Sequence, residues 1–314
     1  MLVQAVTQTA DAVLIVTAAG VIQYVNPAFE QATGYLASEA VGRTPALLKS
    51  GAHPLEFFTA LWKTVTSGEV FRGVITNRRK NGDLFHEEKT ITPIRDHKGE
   101  ITHFVSTGRD VTERLLAAAR FEYLANHDVL TGLPNRGLFM DRLSQALLRS
   151  QREQTNLALL FLDVDRFKAI NDSRGHSVGD NVLVEVAARL RSLVRDEDSV
   201  ARLGGDEFTV IVEGLKKPAD SGRVGEAIIA AFAEPFKVDG EEFLVGVSIG
   251  IASFPGDGTD LNTLLKHADI AMFYAKASGR STCAHFGEVK KGAALEGLAI
   301  DQMLGGTAVA KGAD

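Results

Sequence analysis

Four carboxylates in two short stretches carry the clearest chemistry in this sequence: Asp163 and Asp165 in "LALLFLDVDRF", and Asp206 and Glu207 in "ARLGGDEFTVIV". In the first stretch an almost wholly apolar run from Leu157 to Leu162 predicts a strand covered on both faces, with the acids emerging at its end. In the second, Gly204, Gly205, Asp206 and Glu207 lie between two apolar runs, which predicts a hairpin whose turn pushes these residues into the open. Hairpins ordinarily turn on Asn-Gly or Asp-Gly with one acid at most, so adjacent carboxylates here need something to offset their charge. Buried acids are costly unless a cation or a base neutralises them, and no lysine or arginine lies within the strand. A hard divalent cation is the simplest answer. Asp163 and Asp206, from separate elements, would hold Mg²⁺ and leave phosphate oxygens and water as its other ligands. Taken alone, Asp163 reads equally as a strand-end acid capping the following helix; Asp206 and Glu207 beside it favour the metal.

The composition bounds the alternatives. At 314 residues, 45% hydrophobic and 24% charged, the chain is globular in character with room for two domains. Its net charge of -6 supplies no basic field of the kind duplex nucleic acid or an anionic membrane requires, so any phosphate chemistry must be local. The single cysteine, Cys283, rules out an intrachain disulfide framework and suits a reducing compartment. No stretch approaches the roughly 20 apolar residues of a spanning helix and none has the layout of a signal peptide, so a cytoplasmic location is expected.

Two regions must position the acids and whatever controls them. Over the first third, "AVLIVT" and "VIQYVN" read as a hairpin, and Asn26-Pro27 starts a helical stretch through "AFEQATGY". A helix around "PLEFFTALWKTVTS" precedes three strand-like runs, "FRGVITNRRK", "LFHEEKTITPIRD" and "ITHFVSTGRD", whose turns at "NGD" and "DHKGE" predict an antiparallel meander. From Asp110, "DVTERLLAAARFEYLA" runs without Gly or Pro and predicts one helix. Val111, Leu115, Ala118, Phe121 and Ala125 form a narrow apolar stripe, suited either to packing on the preceding domain or to a two-chain helix. The remainder is α/β in pattern.

About residues 5–110, with "NPAFEQATGY", "NRRKNG" and "ITPIRDHKGEITHFVSTGRDVTER", resemble a PAS domain, a family of sensor and dimerisation modules. About residues 126–286 resemble a GGDEF domain, the catalytic unit of diguanylate cyclases. "DVLTGLPNR", "FLDVDRFKAINDSRGHSVGD", "RLGGDEF", "VSIGIASFPGDG" and "ADIAMFYAKASGR" occur in order. Together the resemblances imply a mixed α/β (α+β) chain: a PAS antiparallel sheet with helices over 1–109, a signalling helix over 110–126, a GGDEF domain of the nucleotide cyclase and polymerase palm type over 127–287, and a tail over 288–314. The implied reaction joins two GTP molecules into cyclic di-GMP and releases pyrophosphate. Each 3′-hydroxyl must attack the α-phosphate of the other GTP, which implies a homodimer with two facing sites.

Carried over position by position, the resemblance makes Asp163 and Asp206 the Mg²⁺ (or Mn²⁺) carboxylates, with the Val164 carbonyl as a further ligand. Glu207 becomes either a metal ligand or a general base. Asn171 and Asp180 match guanine-reading positions; a carboxylate can accept from guanine N1–H and its amine, and an amide can both donate and accept. Lys168, with the backbone of Phe167, matches a phosphate contact and stands with Asp206 and Glu207 among the catalytic candidates. Lys276 and Arg280 match further triphosphate contacts; without the resemblance they read as helix C-terminal charges facing the dipole. Arg195 and Asp198 fall where the family's product-inhibition site for cyclic di-GMP occurs, against the plainer reading of an exposed acidic loop. His127 and His176 lie in family motifs without a metal cluster around them and read as structural.

Other functions compete. A catalytically silent GTP or cyclic di-GMP receptor would usually show a broken glycine–acid turn, and this one is intact. The cyclase part of a longer bifunctional protein is the third reading, because "ALEGLAIDQML" in the tail resembles a helix leading into an EAL phosphodiesterase domain; the last residues read as a frayed end. For the sensor, "LLKSGAHPLEFFTALWKTV" and "FRGVITNRRKNG" resemble flavin-binding PAS domains of the NifL group, with Trp62 and Asn77 at flavin-contacting positions. An indole can stack on an isoalloxazine and an amide can meet its polar edge, which implies FAD, against an empty or differently filled pocket in which Trp62 is a core residue. Pro45 departs from that group, which has an acid there. Cys283 lies outside this domain, which argues against a cysteinyl adduct; haem through His53, His86 or His103 stays open as an alternative, although nothing marks any of them as an axial ligand.

Overall fold

The chain is described here as a computed structural model covering residues 2–217 and 220–295. It divides into two compact units, residues 1–121 and 122–314. In the first, α1 (Leu2–Gln8) leads to β1 (Ala12–Thr17) and β2 (Ile22–Val25), then α2 (Pro27–Thr33), α3 (Ala37–Ala40), a 3₁₀ turn at Pro45–Leu48 and α4 (Leu55–Thr66). The predicted meander follows as β3 (Phe71–Arg78), β4 (Leu84–Arg95) and β5 (Ile101–Asp110), in a five-stranded antiparallel sheet of order β2-β1-β5-β4-β3. Asn26 explains why a helix starts at Pro27. Its buried side chain accepts from the N–H groups of Phe29 (3.0 Å) and Val13 (2.8 Å), so one residue caps α2 and ties it to β1.

The predicted connecting helix is α5 (Thr112–Asn126). Val111, expected on its apolar stripe, instead precedes it and is buried, with its N–H bonded to the His86 carbonyl (2.9 Å). The strand ladder outcompetes the helix there, because Asp110 Oδ1 and Thr112 Oγ1 bond the backbone N–H groups of Thr112 and His86 and fix the junction. No side chain of α5 is buried, and Leu115, Leu116, Phe121 and Tyr123 are exposed.

In the second unit, α6 (Arg136–Glu153) and β6 (Asn156–Val164) come first. They are followed by α7 (Phe167–Arg174), α8 (His176–Leu193), β7 (Ser199–Gly204), β8 (Glu207–Leu215), α9 (Asp220–Phe232), a small hairpin of β9 (Phe236–Val238) and β10 (Glu241–Phe243), β11 (Val247–Phe254), α10 (Leu261–Ala277), β12 (Cys283–His285) and α11 (Phe286–Leu295). The main sheet has the order β12-β11-β6-β8-β7, with β6 central. Beyond α11, the tail stretch read as a linker helix lies outside the described residues. Among the described residues no helix is long and apolar enough to cross a membrane.

The strict alternation of a strand sorts β6 between two cores. Ala158, Leu160, Leu162 and Val164 pack with Val182, Val186 and Leu190 of α8, whereas Leu157, Leu159 and Phe161 pack with Phe139 and Leu143 of α6 and Leu264, Ala268 and Met272 of α10. Continuing the odd-numbered set puts Asp163 on the α10 side. Gly250 in β11 is where α10 lies directly on the sheet: a Cβ there would stand 2.0 Å from both the Ala268 carbonyl oxygen and the Met272 nitrogen. Helix backbone cannot yield as a side-chain tip can, so Gly250→Ala must displace α10. We expect a loss of at least about 2 kcal/mol in urea unfolding; a wild-type midpoint would show that α10 does not press on β11 at this point.

Candidate active site

The glycine turn between β7 and β8 is held against the end of β6. Glu207 pairs with Asp163 across the β6/β8 ladder, and the Val164 N–H donates to the Asp206 carbonyl (3.2 Å). Gly204 (φ 147°) and Gly205 (φ 51°) take backbone conformations that a side chain would strain. Asp206 and Glu207 are therefore half-buried, not thrust into the open as the turn pattern predicts, because the turn is pinned from behind as well as along its strands.

Asp163 is the electrostatic centre. Only 7% exposed, it has its carboxyl pushed up to about 6, chiefly by burial; the Lys276 bond lowers it and the Asp206 and Glu207 charges raise it. Lys276 Nζ lies 2.7 Å from Asp163 Oδ2. The absence of a base within the strand thus did not exclude a base altogether: α10 supplies one, 113 positions away in sequence. Asp165 takes no part in this cluster. Its carboxylate accepts from Ser248 Oγ (2.7 Å) and the Ser281 N–H (2.9 Å). Among the described residues no three His, Cys, Asp or Glu side chains form a ready metal cage. Carboxylates such as Asp163, Asp206 and Glu207 are hard oxygen donors, the type that suits a hard cation keeping water and phosphate as its other ligands.

A clamp that no local pattern announces sets the turn. Arg202, 9% exposed, donates from Nε (3.0 Å) and Nη2 (2.7 Å) to the Gly205 carbonyl and from Nη1 (2.8 Å) to Asp128 Oδ1. Thr131 donates to the same Asp128 oxygen from its N–H (2.9 Å) and hydroxyl (2.7 Å). Burial alone would raise the Asp128 carboxyl, but these bonds and the Arg202 charge hold it below the usual range.

The other predicted contacts are distributed as follows. Phe167 is buried at the start of α7, Lys168 is exposed one residue on, and Asn171 lies a turn later facing Gly179 of α8. Asn171 Oδ1 is buried without a hydrogen-bond partner, and a Cβ at Gly179 would stand 1.9 Å from it. Asp180, the next residue, is exposed. An unspent acceptor beside an exposed carboxylate is a pair able to meet the donor edge of a purine. Arg280 is exposed in the loop after α10 at φ 66°.

Arg195 is exposed in the turn before β7, with Glu197 3.6 Å away. The Asp198 carboxylate closes that turn, accepting from the Arg195 N–H (3.1 Å) and the Glu213 N–H (3.2 Å), while burial pushes its carboxyl up. A cavity of about 240 Å³ is lined by Arg195, Asp196 and Asp198 together with Arg142 and Arg191. Those two arginines were not legible as partners, since they come from α6 and α8. His127, which also lines it, stacks on Tyr123 at 4.1 Å. His176 is exposed at the start of α8.

In the first unit a cavity of about 400 Å³ is lined by apolar side chains and by Pro45, Trp62, Asn77, Lys89 and Ser106. Trp62 meets Phe104 edge-on at 5.7 Å. Asn77 Nδ2 donates to Glu87 Oε2 (2.7 Å), which Lys89 also contacts (2.8 Å), so the amide carbonyl is what remains for a ligand. Ser106 Oγ is buried without a partner. His53, His86 and His103 do not line this cavity. His53 Nε2 accepts from the Thr76 N–H (2.8 Å), His86 faces the Thr76 hydroxyl (3.1 Å) and His103 faces Gln23 (3.0 Å).

The family described as "Diguanylate cyclase, GGDEF domain" matches residues 125–282, and the PAS fold matches residues 1–111. The diguanylate cyclase TpbB of Pseudomonas aeruginosa is 45% identical over 165 residues, 52% of this chain and 38% of that protein. The cyclic di-GMP phosphodiesterase PdeR of Escherichia coli is 30% identical over 281 residues, 88% of this chain and 42% of that protein. Of the first three curated relatives the chain spans 24%, 22% and 38% of their length. Among solved structures, the TpbB GGDEF domain aligns with TM-score 0.50 at 45% identity, covering 51% of this chain and 93% of that one. The coiled coil and GGDEF domain of DgcB from Caulobacter crescentus, in complex with c-di-GMP, aligns with TM-score 0.50 at 28% identity, covering 55% of this chain and 92% of that one.

The raised Asp163 carboxyl has a consequence for stability. Its folded value of about 6 lies above the ordinary aspartate value of about 3.9, so the native state holds this proton more tightly than the unfolded chain. The contribution is complete below the unfolded value and is lost as pH rises through 6. In a chelator-containing buffer, wild type should therefore lose stability relative to Asp163→Asn between pH 4 and 7, by about 3 kcal/mol at most. Urea midpoints of the two proteins that run parallel across that range would contradict it.

Proposed function

The chain belongs to the GGDEF family, with a PAS fold ahead of that domain, and from this membership we propose that it is a diguanylate cyclase under PAS control. The observation that carries the reading is the meeting of Asp163, Asp206 and Glu207 at the end of a doubly covered strand, with Lys276 at their edge. Mg²⁺ or Mn²⁺ held by Asp163 and Asp206, with Glu207 and the Val164 carbonyl as further ligands, would offset charge on the triphosphate. Phe167 and Lys168 would contact phosphate, Lys276 and Arg280 the rest of the triphosphate, and Asn171 with Asp180 the guanine edge. The 3′-oxygen of each GTP bonds to the α-phosphorus of the other, the bond from that phosphorus to pyrophosphate breaks, and the hydroxyl proton leaves to a base for which Asp206 and Glu207 are the acids at hand. Because both nucleotides are attacked, the working unit is a homodimer, and the exposed apolar side chains of α5 suit a helix covered by a second copy. The arginine-lined cavity at Arg195 supports product inhibition, since guanidinium forks match phosphate and guanine edges.

The PAS cavity supports a planar cofactor, which we take to be FAD. Its volume falls in the usual range for small-molecule pockets, Trp62 offers a stacking face, and Asn77 and Ser106 offer polar groups at one wall. The flavin's redox state would act through α5 on the meeting of the two GTP sites.

Purified protein given GTP and Mg²⁺ should form cyclic di-GMP and release pyrophosphate. Asp206→Ala should abolish this with the thermal melt unchanged, and Arg195→Ala should relieve inhibition by added cyclic di-GMP while leaving the initial rate alone. GTP bound but never turned over would favour a receptor instead, and an unaltered inhibition curve would remove the Arg195 site. An absorption spectrum tests the cofactor independently. The two visible bands of oxidised flavin, bleached by dithionite, are expected; a featureless spectrum after incubation with FAD would reject it.

A further inference from the structure

We propose that Asp165 is a positioning residue for Arg280, holding the loop after α10 in the one conformation that aims the guanidinium at the nucleotide. The proposal rests on the reading of Arg280 as a triphosphate contact.

Three distant segments meet at the Asp165 carboxylate. Oδ1 accepts from Ser248 Oγ at the start of β11 (2.7 Å), and Oδ2 accepts from the Ser281 N–H (2.9 Å), with the Ser281 hydroxyl at 3.4 Å. The Asp165 N–H completes the junction by donating to the Gly246 carbonyl (2.9 Å). Asp165 is 8% exposed and makes no ion pair among the described residues, so these donors are what keep its charge tolerable in the interior.

The loop needs such a hold. Gly279 (φ 122°), Arg280 (φ 66°) and Ser281 (φ 48°) follow one another at positive φ, and for Arg and Ser that conformation is costly. Packing does not enforce it, because Gly279, Arg280 and Ser281 border an open cavity of about 810 Å³. The bond from the Ser281 N–H to Asp165 fixes the residue next to Arg280, and the Arg280 N–H to the Ala275 carbonyl (3.2 Å) fixes the other side. Gly246 shows how closely the pieces fit: a Cβ there would lie 2.2 Å from Ser281 Oγ and 2.9 Å from Asp165 Oδ2.

The same acid two residues from Asp163 would read as a metal ligand, and the two roles separate by experiment. The probe is a non-hydrolysable GTP analogue with Mg²⁺, titrated onto the full chain by calorimetry. Arg280→Ala and Asp165→Ala should each weaken the analogue roughly tenfold, the scale of one charge-assisted hydrogen bond, and the double variant should be no weaker than either. Asp165→Asn keeps an acceptor for the Ser281 N–H and can offer its amide to Ser248 Oγ, so it should recover most of the affinity. The Mg²⁺ dependence of turnover should not move in these Asp165 variants. Gly246→Ala, which disturbs the loop without altering any charge, should mimic Arg280→Ala even where Asp165→Ala fails to fold. Additive losses in the double variant, an Asp165→Asn as weak as Asp165→Ala, or a shifted Mg²⁺ requirement would each overturn the proposal. Wild type that does not bind the analogue at all is a distinct result: it removes the cyclase reading itself, and the positioning role with it.

Discussion

The cost of leaving a carboxylate at the end of a strand covered on both faces governs the second unit. β6 must be apolar along its length to sit between α8 on one side and α6 and α10 on the other, and that burial is what desolvates Asp163. The alternation of the strand then decides which helix can answer the charge. Asp163 belongs to the odd-numbered face, Met272 packs on that face, and Lys276 stands one helical turn further along α10. A cation is needed at this point, and Lys276 is the side chain that α10 brings to Asp163.

Much of this was legible in the sequence because it is written in short-range pattern. The apolar run ending in acids, the glycine hairpin, the meander and Asn26-Pro27 each depend on residues within a few positions of one another. Partnerships across the chain leave no such trace. Asp128 meets Arg202 across 74 positions and Asp165 meets Ser281 across 116, and neither pair shows a periodicity or a turn signal. The Val111 error has the same root: helical spacing places it on α5, while its backbone is claimed by a strand partner at His86. Asp165 looked like a twin of Asp163 since both follow the same run, yet β6 ends at Val164, so Asp163 is still held by the strand and reaches Lys276 while Asp165 lies past its end and bonds Ser248 and the Ser281 N–H.

In the first unit the cavity wall is polar where it adjoins β5. Glu87 is 3% exposed and bonds both Asn77 and Lys89, and Gly108 on β5 makes way for it, since a Cβ there would lie 1.7 Å from Glu87 Oε1. A buried ion pair of this kind is stabilised only while both charges keep their partners. A ligand that draws on Lys89 or Asn77 therefore competes with Glu87. The segment beside that competition is β5 at Gly108, two residues before Asp110 and four before α5 starts at Thr112.

At the far end of α5, bonded groups run without a gap to the glycine turn. Asn135 donates from Nδ2 to the Ala125 carbonyl (2.7 Å) and from its N–H to the Asn126 carbonyl (2.9 Å), so the last turn of α5 and the first of α6 share one residue. The neighbouring Pro134 carbonyl accepts from the Arg202 N–H (3.0 Å), and the Arg202 side chain holds the Gly205 carbonyl. The position of the glycine turn is thereby referenced to the end of α5 as well as to its own sheet. A turn fixed only by strand pairing would be indifferent to the helix that precedes the domain; this one is not, because the arginine that orients its carbonyl is anchored on the segment where that helix stops.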